Sequence, residues 1–327
     1  MPRFPLIIIL CFSLLACQSS AQITPSATAT LTPQPTATLT ATPTLEPTLP
    51  PTPTPLTRRV LILSIDGLHP DAIPLAFMST LMELMKHSAY SLTARTVHPS
   101  VTLVSHTSML SGQCPDKHKV NWNDYIPEKG YAQVTDLFDI THAAGMQTVM
   151  YVGKEKLQQI TEPQSLDIFQ FINDRDLVII DNLIQNFPAD FRLMFIHFPT
   201  ADWMGHEYGW LSNEQLSVLY RADQAIANLL AELDRRGLLD ETLIIITADH
   251  GGHDTIHGSS LREDMTIPWI AFGSGIQPAE LTSPITTTDT AATAAFALGL
   301  PIPAEWDGVP IYEAFGLPVD KESVGCK

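Results

Sequence analysis

The sequence predicts an α/β fold with one mostly parallel central sheet and helices on both faces. Apolar, β-branched runs of strand length recur along the chain, and segments with helical spacing of apolar residues separate them. Parallel strands need crossover connections, usually helical, so this alternation favours a parallel sheet. The 327 residues are enough for a single large domain with a sizeable core.

Five strands and six helices are predicted in order. The strands cover residues 60–65, 147–152, 193–198, 243–246 and 267–272. The helices cover residues 74–87, from just after Thr102 to 110, 134–144, 174–187, 212–236 and 289–298. The clearest is 212–236, where Ser212 and Gln215 have the spacing of a capping box and Gly237 marks the end.

The first 57 residues are predicted to lie outside this domain. Residues 1–17 are typical of a lipoprotein signal peptide, with an apolar segment at 6–15 and a Leu-Leu-Ala-Cys ending that resembles the bacterial lipobox. Lipidation at Cys17 would anchor the protein to the outer face of the bacterial cell membrane. An ordinary secretory signal with a chance cysteine is the alternative. Residues 18–57 are rich in Thr and Pro, which favours a disordered linker, and residues 58–327 form the predicted domain.

Charge and cysteine content narrow the possible partners and compartments. The formal net charge of −17 argues against a nucleic-acid-binding surface, which needs stripes of Lys and Arg. Two cysteines, Cys114 and Cys326, lie in the predicted domain. Two free thiols are the favoured interpretation, and pairing in an oxidising compartment stays open because sequence cannot place their Cα atoms.

Carboxylates and imidazoles follow several of the predicted strands. Each has an ordinary explanation by itself, such as a turn, a helix cap or a buried histidine. Together they recur at the carboxyl ends of strands, where ligands gather in open parallel sheets. Such a set is what a pair of divalent metals requires. The candidate ligands are Asp66, Asp202, His206, Asp249, His250 and His257, with His253 as a competitor of His257.

A candidate nucleophile lies between the first and later ligands. Thr102 is predicted at the start of a helix, where the positive end of the helix dipole favours a developing anion. Coordination to a metal would lower the pKa of its hydroxyl. Ser100 and Ser105 are the alternatives for this role. A plain helix-capping function for Thr102 is compatible with it.

With these motifs in this order, the chain resembles the alkaline phosphatase superfamily, in particular its type I phosphodiesterase/nucleotide pyrophosphatase branch, over residues 60–315. The resemblance implies an alkaline phosphatase-like, single catalytic domain with two divalent metal ions. Asp66, Asp249, His250 and Thr102 would hold one metal, and Asp202, His206 and His257 the other. Asn123 would donate to a phosphoryl oxygen, with Asn121 as its competitor. Asp and His ligands without Cys suit zinc, and manganese or iron also fit.

The resemblance implies a hydrolase of small-molecule phosphate esters that forms a covalent phospho-threonine. Phosphodiester and pyrophosphate bonds are the favoured targets, because a phosphomonoesterase needs extra positive charge and Arg95 is the only arginine near Thr102 in the sequence. A monoesterase, a phosphonate hydrolase or a non-catalytic metal-binding module are the alternatives. The family often has an aromatic residue, a proline and an asparagine where this chain has Leu103, Val104 and Ser105. These positions shape the substrate pocket more than the metal site.

Overall fold

The computed structural model describes residues 54–319 and 323–326. They belong to one compact unit, Pro50–Lys327. The predicted signal peptide, the lipidation site at Cys17 and the linker up to residue 53 lie outside the described residues. No described helix combines the length and the apolar character needed to cross a bilayer.

Within the described residues, eight strands form a single sheet. They are β1 Arg59–Ile65, β2 Ala89–Arg95, β3 Thr148–Val152, β4 Ile168–Phe171, β5 Leu193–Phe198, β6 Thr242–Thr247, β7 Thr266–Gly273 and β8 Ala279–Glu280. The spatial order is β4-β3-β5-β1-β6-β7-β2-β8. Parallel pairing links β4, β3, β5, β1 and β6, whereas β7 runs antiparallel to both β6 and β2. The predicted α/β class with a mostly parallel sheet is confirmed.

The central strand β1 explains why the chain shows so apolar a run at this point. Its residue Ile62 pairs with Phe195 of β5 on one side and with Ile245 of β6 on the other. All three side chains are fully buried. A strand that is covered on both faces has to be apolar at every position rather than at alternate ones.

In the described part of the chain, ten α-helices surround the sheet. They are α1 Ala72–Leu75, α2 Ser79–Met85, α3 Thr102–Ser111, α4 Pro115–His118, α5 Leu137–Ala143, α6 Asp176–Gln185, α7 Thr200–Tyr208, α8 Asn213–Arg235, α9 Arg262–Met265 and α10 Asp289–Ala297. Short 3₁₀ helices cover Pro127–Lys129, Glu155–Gln159, Pro163–Ser165, Leu239–Glu241 and Tyr312–Phe315. One group of helices packs around α8 and contains α1, α2, α6 and α7, while α3, α5 and α10 form a second group.

Several predicted boundaries need correction. The helix predicted at 74–87 is two short helices, because Phe77 between them has a left-handed φ of +51°. Helix α5 begins later than predicted, because the Asp136 side chain caps it by accepting from the N–H groups of Phe138 and Asp139. In α8, Ser212 accepts from the Gln215 N–H as expected, but the Gln215 side chain accepts from Leu211 instead of closing a capping box.

The favoured interpretation of Cys114 and Cys326 as free thiols is wrong in this structure. The two residues form a disulfide, with Cα atoms 5.5 Å apart, across a sequence separation of 212. Cys114 precedes α4 and Cys326 lies near the carboxyl terminus, so the bond ties the final described segment to the domain.

Candidate active site

The carboxyl ends of three neighbouring strands place the predicted ligands side by side. Asp66 directly follows β1, Asp249 follows β6, and Asp202 lies in the first turn of α7 just after β5. Because β5, β1 and β6 are adjacent and parallel, these ends meet at one edge of the sheet. All three carboxylates are buried.

The first group of candidate ligands contains Asp66, Asp202 and His250. One ligand atom from each of these residues lies within 4.8 Å of the other two. The Nε2 atom of His250 lies 3.4 Å from Asp66 Oδ1 and 3.2 Å from Asp249 Oδ2. Asp249 also accepts from the Gly67 N–H at 3.2 Å, which ties the turn after β6 to the turn after β1. Asp202 therefore approaches this group as well as the one to which the sequence assigned it.

The second group contains Asp202, His206 and His257, also within 4.8 Å of one another. Asp202 Oδ1 lies 3.4 Å from His206 Nε2 and 3.5 Å from His257 Nε2. Asp202 and His206 are one helical turn apart on α7, so the helix aligns both side chains. The competitor His253 instead pairs with Asp264 at 2.6 Å and belongs to neither group.

Backbone carbonyls orient all three candidate histidines. Nδ1 of His250 lies 2.8 Å from Gly251 O, Nδ1 of His257 lies 2.8 Å from Ser100 O, and Nδ1 of His206 lies 3.0 Å from Thr255 O. A carbonyl can only accept, so each Nδ1 carries the proton and each Nε2 offers a lone pair to the centre. Burial, and next the charge of His250, lower the pKa of His257 to about 4, which keeps this imidazole neutral at pH 7. Metal ligation by histidine needs that neutral form.

Unpaired polar atoms show that these residues fit divalent cations. Four buried atoms of this cluster have no hydrogen-bond partner, namely Asp66 Oδ1, Asp202 Oδ1, Asp249 Oδ2 and His250 Nε2. Buried polar atoms normally have partners, and leaving them without one costs ~1–3 kcal/mol each. Three are carboxylate oxygens and one is an imidazole lone pair, which are the donor types that zinc and manganese bind.

Lys154, which follows β3, projects into the same cluster and was missed as a site residue. Its Nζ lies 2.6 Å from Asp66 Oδ2 and 2.5 Å from Asp202 Oδ2. It also donates to Thr102 Oγ1 at 3.3 Å. Burial opposes the ionisation of Asp66, but the ammonium of Lys154 and then the hydrogen bond with His197 outweigh it, and the pKa of Asp66 falls well below its usual range. Burial and the neighbouring charge of Asp66 raise the pKa of Asp249.

Thr102 is the first residue of α3 and is buried beside the ammonium of Lys154. The cap position belongs to Val101, and no side-chain capping bond is made, so a capping function for Thr102 is excluded. The alternative nucleophiles are engaged elsewhere. Ser100 donates to Ser259 O at 2.9 Å, and Ser105 accepts from Thr96 at 3.1 Å.

Asn123 lies next to the start of α3. Its Oδ1 accepts from the Leu103 N–H at 2.9 Å, so the amide nitrogen is the end left to meet a ligand. Its competitor Asn121 is exposed and has no such contact among the described residues. The structure therefore brings Asn123, rather than Asn121, to the neighbourhood of Thr102.

Residues 60–267, more than half of the chain, match the family of type I phosphodiesterases and nucleotide pyrophosphatases. The chain belongs to this family. The resemblance recognised in the sequence is thereby confirmed, as is the assignment to a family of phosphodiesterase hydrolases. The roles of single residues stay predictions, because family membership does not test them.

Three proteins similar to this chain share less than a third of their aligned residues with it. The catalytic subunit of GPI ethanolamine phosphate transferase 2 from Homo sapiens is 29% identical over 77% of the chain, which spans 27% of that relative. Bis(5'-adenosyl)-triphosphatase enpp4 from Xenopus laevis is 24% identical over 60% of the chain, which spans 47% of that protein. Among solved structures, an inactive form of murine ectonucleotide pyrophosphatase/phosphodiesterase 5 in complex with AMP has a TM-score of 0.68 at 14% identity and covers 80% of this chain and 99% of its own.

Two further buried histidines contact residues of the site, and neither was predicted from the sequence to be a site residue. His197 lies 2.8 Å from Asp66 Oδ2. His106 lies 2.8 Å from the Thr102 carbonyl and 2.8 Å from Ser64 Oγ. Both histidines are fully buried within a strand or helix, where their sequence positions look like ordinary core. For His197 the available signal was a histidine inside the apolar run of β5, whereas His106 stands among the serines and threonines of α3 and offered no such signal.

Proposed function

We propose that this protein hydrolyses small-molecule phosphate esters, primarily at phosphodiester and pyrophosphate bonds, with Thr102 as the nucleophile. The observation that carries the proposal is the placement of the Thr102 hydroxyl at the start of a buried helix, with Lys154 Nζ bridging it to Asp66 and Asp202. Two similar proteins support cleavage of phosphodiester and pyrophosphate bonds. One is a bis(5'-adenosyl)-triphosphatase, and the solved structure of another contains AMP.

Two divalent ions fit the ligand set described above. Asp66, Asp249 and His250, with the Thr102 hydroxyl, would hold one ion, and Asp202, His206 and His257 would hold the other. Asp202 lies close enough to the first group to contribute to both. When bound, such ions supply Lewis-acid activation of oxygen and neutralise charge that develops on phosphorus-bound oxygens. Zinc is the preferred candidate because the donors are imidazoles and carboxylates.

The chain's own residues would perform the following chemistry. Thr102 Oγ1 loses its proton to solvent and attacks phosphorus, the bond from phosphorus to the leaving oxygen breaks, and the leaving oxygen takes up a proton. Water then attacks the phospho-threonine, and the Thr102 oxygen is released and reprotonated. Asn123 would donate its amide N–H to a nonbridging oxygen. The N-terminus of α3 adds a favourable field for the same charge.

A substrate panel tests the proposal. Purified protein is loaded with zinc or manganese, its metal content is measured, and turnover is recorded on nitrophenyl diesters, nucleoside pyrophosphates, monoesters and phosphonate esters. We expect Thr102→Ala to abolish turnover at unchanged metal content, while Ser100→Ala retains it. Acid-quenched wild-type enzyme should carry phosphate on the peptide that contains Thr102. Full activity of Thr102→Ala would overturn the assignment of the nucleophile.

We also propose that the domain acts outside the cytoplasm, held to the membrane by lipid on Cys17. The Cys114–Cys326 disulfide supports an oxidising compartment, where such bonds persist. The N-terminal sequence supports the anchor. Cys17→Ser should release the protein from the membrane fraction. Retention of that variant with the membranes would contradict lipid anchoring.

A further inference from the structure

We propose that a cavity beside the candidate active site is an effector site for a small zwitterion, a compound with an ammonium at one end, a carboxylate at the other and a short apolar chain between them. The cavity has a volume of about 370 Å³, within the range of small-molecule sites, and lies where the starts of α6 and α7 meet the middle of α8. Its lining contains none of the candidate metal ligands. The inference goes beyond the proposed function, because it does not depend on the reaction at Thr102.

The floor of the cavity contains a buried acid that lacks a partner for one of its oxygens. Asp176, the first residue of α6, is 3% exposed and lines the cavity together with Thr200. Its Oδ1 accepts from the Thr200 hydroxyl at 2.7 Å and from the Thr200 N–H at 3.3 Å, whereas Oδ2 has no hydrogen-bond partner among the described residues. Burial raises the pKa of Asp176 to about 7, and the bonds from Thr200 offset this only in part. A ligand ammonium would supply both the missing donor and the missing positive charge.

Two guanidinium groups lie at the mouth of the cavity. Arg175 has a side chain that is 69% exposed and makes one loose ion pair, with Nε 3.8 Å from Asp174 Oδ1. Arg221 on α8 is exposed and makes no ion pair or hydrogen bond within the described part of the chain. The fork of donors on a guanidinium matches the two oxygens of a carboxylate, so these two arginines are suited to the anionic end of a ligand.

Apolar side chains line the rest of the cavity. Leu177 and Val178 of α6 and Val218 of α8 contribute to its wall, and each is at least partly exposed. A short apolar chain would cover them, and removing apolar surface from water favours binding. A simple anion would leave Asp176 without a donor, and a simple amine would leave the arginines without an acceptor. The complete set of groups therefore favours a zwitterion.

Thr200 connects this cavity to the candidate metal ligands. It is the first residue of α7, and Asp202, which belongs to both ligand groups, follows two residues later in the same turn. An ammonium bound to Oδ2 would fix the Asp176 carboxylate, and with it the Thr200 hydroxyl and the first turn of α7. Because a fixed turn leaves Asp202 less freedom to lose when it binds a metal, the occupied cavity should tighten metal binding.

The test measures the binding of three matched probes to the full-length protein at pH 8, where Asp176 is mostly ionised. The probes are ε-aminocaproate, which has both charged ends, caproate, which lacks the ammonium, and hexylamine, which lacks the carboxylate. Titration calorimetry gives their dissociation constants for wild type, Asp176→Asn and Arg221→Met. The Asp176→Asn side chain keeps an oxygen that can accept from Thr200 but loses the charge. Lys86→Met is the control, because Lys86 is exposed and pairs with Glu83 on a surface helix.

We expect ε-aminocaproate to bind wild type at least ~10-fold more tightly than either singly charged probe, because each charged end adds a charge-assisted hydrogen bond. Asp176→Asn should reduce its affinity to that of caproate, and Arg221→Met should weaken it ~10-fold. Lys86→Met should match wild type.

Metal titrations of the apo-protein test the effector role. Saturating ε-aminocaproate should tighten the binding of metal to wild type at least ~5-fold, and by linkage bound metal should tighten the binding of the probe by the same factor. Arg221→Met should lack this effect, which separates it from direct capture of metal by the probe.

Three results would overturn the inference. Binding weaker than ~10 mM for all three probes would refute the site. Equal affinities for ε-aminocaproate and caproate would refute the role of Asp176, and unchanged metal affinity with the probe bound would refute the effector role. Arg221 is on the surface, so Arg221→Met keeps the test decisive if Asp176→Asn does not fold. None of these results bears on the proposed function, which fails if Thr102→Ala retains turnover.

Discussion

His197 Nε2 lies 2.8 Å from Asp66 Oδ2, and both side chains are fully buried at the end of adjacent strands β5 and β1. The other ring nitrogen, Nδ1, accepts from the Gly153 N–H at 3.3 Å. His197 therefore donates from Nε2 and holds one oxygen of Asp66, which leaves the other oxygen, Oδ1, for a metal.

Replacing His197 should weaken metal binding without removing a proposed ligand. His197→Phe keeps the volume but loses the donor, and we expect metal affinity to fall ~10–100-fold. His197→Gln can still donate toward Asp66 and should recover much of it. Metal titration of the apo-protein measures both. His142→Gln is the control, since His142 is 43% exposed and pairs with Asp167. Equal affinities for wild type and His197→Phe would refute the positioning role.

The Asn123→Asp variant distinguishes the function of the side-chain oxygen of Asn123 from that of its side-chain nitrogen. The substituted side chain can still accept from the Leu103 N–H, but it replaces the proposed phosphoryl donor with a carboxylate. We expect kcat/KM to fall ~10²–10³-fold with the fold and the metal content unchanged. Asn121→Asp, at an exposed position nearby, should have little effect. A small effect at both positions would mean that Asn123 does not contact the reacting phosphoryl group.

The sequence predicted those features that depend on a single strand and the turn that follows it. Apolar runs located β1, β3, β5, β6 and β7, and the polar residues after three of them located the ligand set. The end of a strand can be predicted from sequence because a buried strand is apolar and the site residues that follow it are polar. The choice of His257 over His253 stays a prediction: His257 lies in a candidate ligand group, whereas His253 pairs with Asp264.

What sequence missed depends on which strands are neighbours. Lys154 follows β3, and it reaches Asp66 because β3 lies next to β5, which lies next to β1. No local pattern encodes that order. The same applies to the Cys114–Cys326 bond, whose partners are 212 residues apart in sequence. Long-range closure is a property of the folded chain, so the sequence alone favoured free thiols.

Breaking the disulfide should lower the free energy of unfolding. Cross-linking residues so far apart restricts the unfolded chain, and removal of a native bond costs ~2–5 kcal/mol. Cys326→Ser should show this loss in denaturant titrations. Reductant should destabilise wild type to the same level and leave the variant unchanged. Peptide mapping without reduction should link the peptides that contain Cys114 and Cys326. Recovery of both cysteines as free thiols would contradict the bond.

Asp136 should make stability fall as pH rises. Burial, and next the charge of Asp139, raise the pKa of Asp136 from 3.8 to about 8. Between these values the folded state binds a proton that the unfolded state has released. Stability is therefore fully present below pH ~4 and declines toward pH 8, by at most ~1.4 kcal/mol per pH unit. Asp136→Asn keeps an oxygen that can cap α5 but cannot titrate.

Denaturant titrations at pH 5, 6.5 and 8 check this dependence. The free energy of unfolding of Asp136→Asn, relative to wild type, should improve steadily with pH. Asp181→Asn, on the exposed face of α6, should run parallel to wild type. Parallel curves for wild type and Asp136→Asn would show that Asp136 is ionised in the folded protein across this range.

Gly252→Ala should damage the second ligand group through Trp210. A Cβ on Gly252 would lie 2.2 Å from Trp210 Cε2, which is far closer than atoms tolerate, so the indole must move. Trp210 donates to Gly67 O at 2.9 Å and packs edge-on against the rings of His206 and His257, with centroids 5.3 and 5.7 Å away. Its displacement should therefore disturb these two histidines more than His250. The His250 ring stacks on His257 at 3.7 Å, but its two nitrogens lie 2.8 Å from Gly251 O and 3.2 Å from Asp249 Oδ2.

Metal stoichiometry distinguishes this local effect from general unfolding. We expect wild type to bind two equivalents of metal and Gly252→Ala close to one, with a loss of ~1–3 kcal/mol of stability from overpacking. Gly325→Ala is the control, because its added methyl would meet only Thr286 Cγ2 at 3.7 Å. Trp210→Phe in the Gly252→Ala background makes room for the methyl and should restore part of the second equivalent. If the double variant binds no more metal than Gly252→Ala, the steric path from Gly252 through Trp210 to His206 and His257 is refuted.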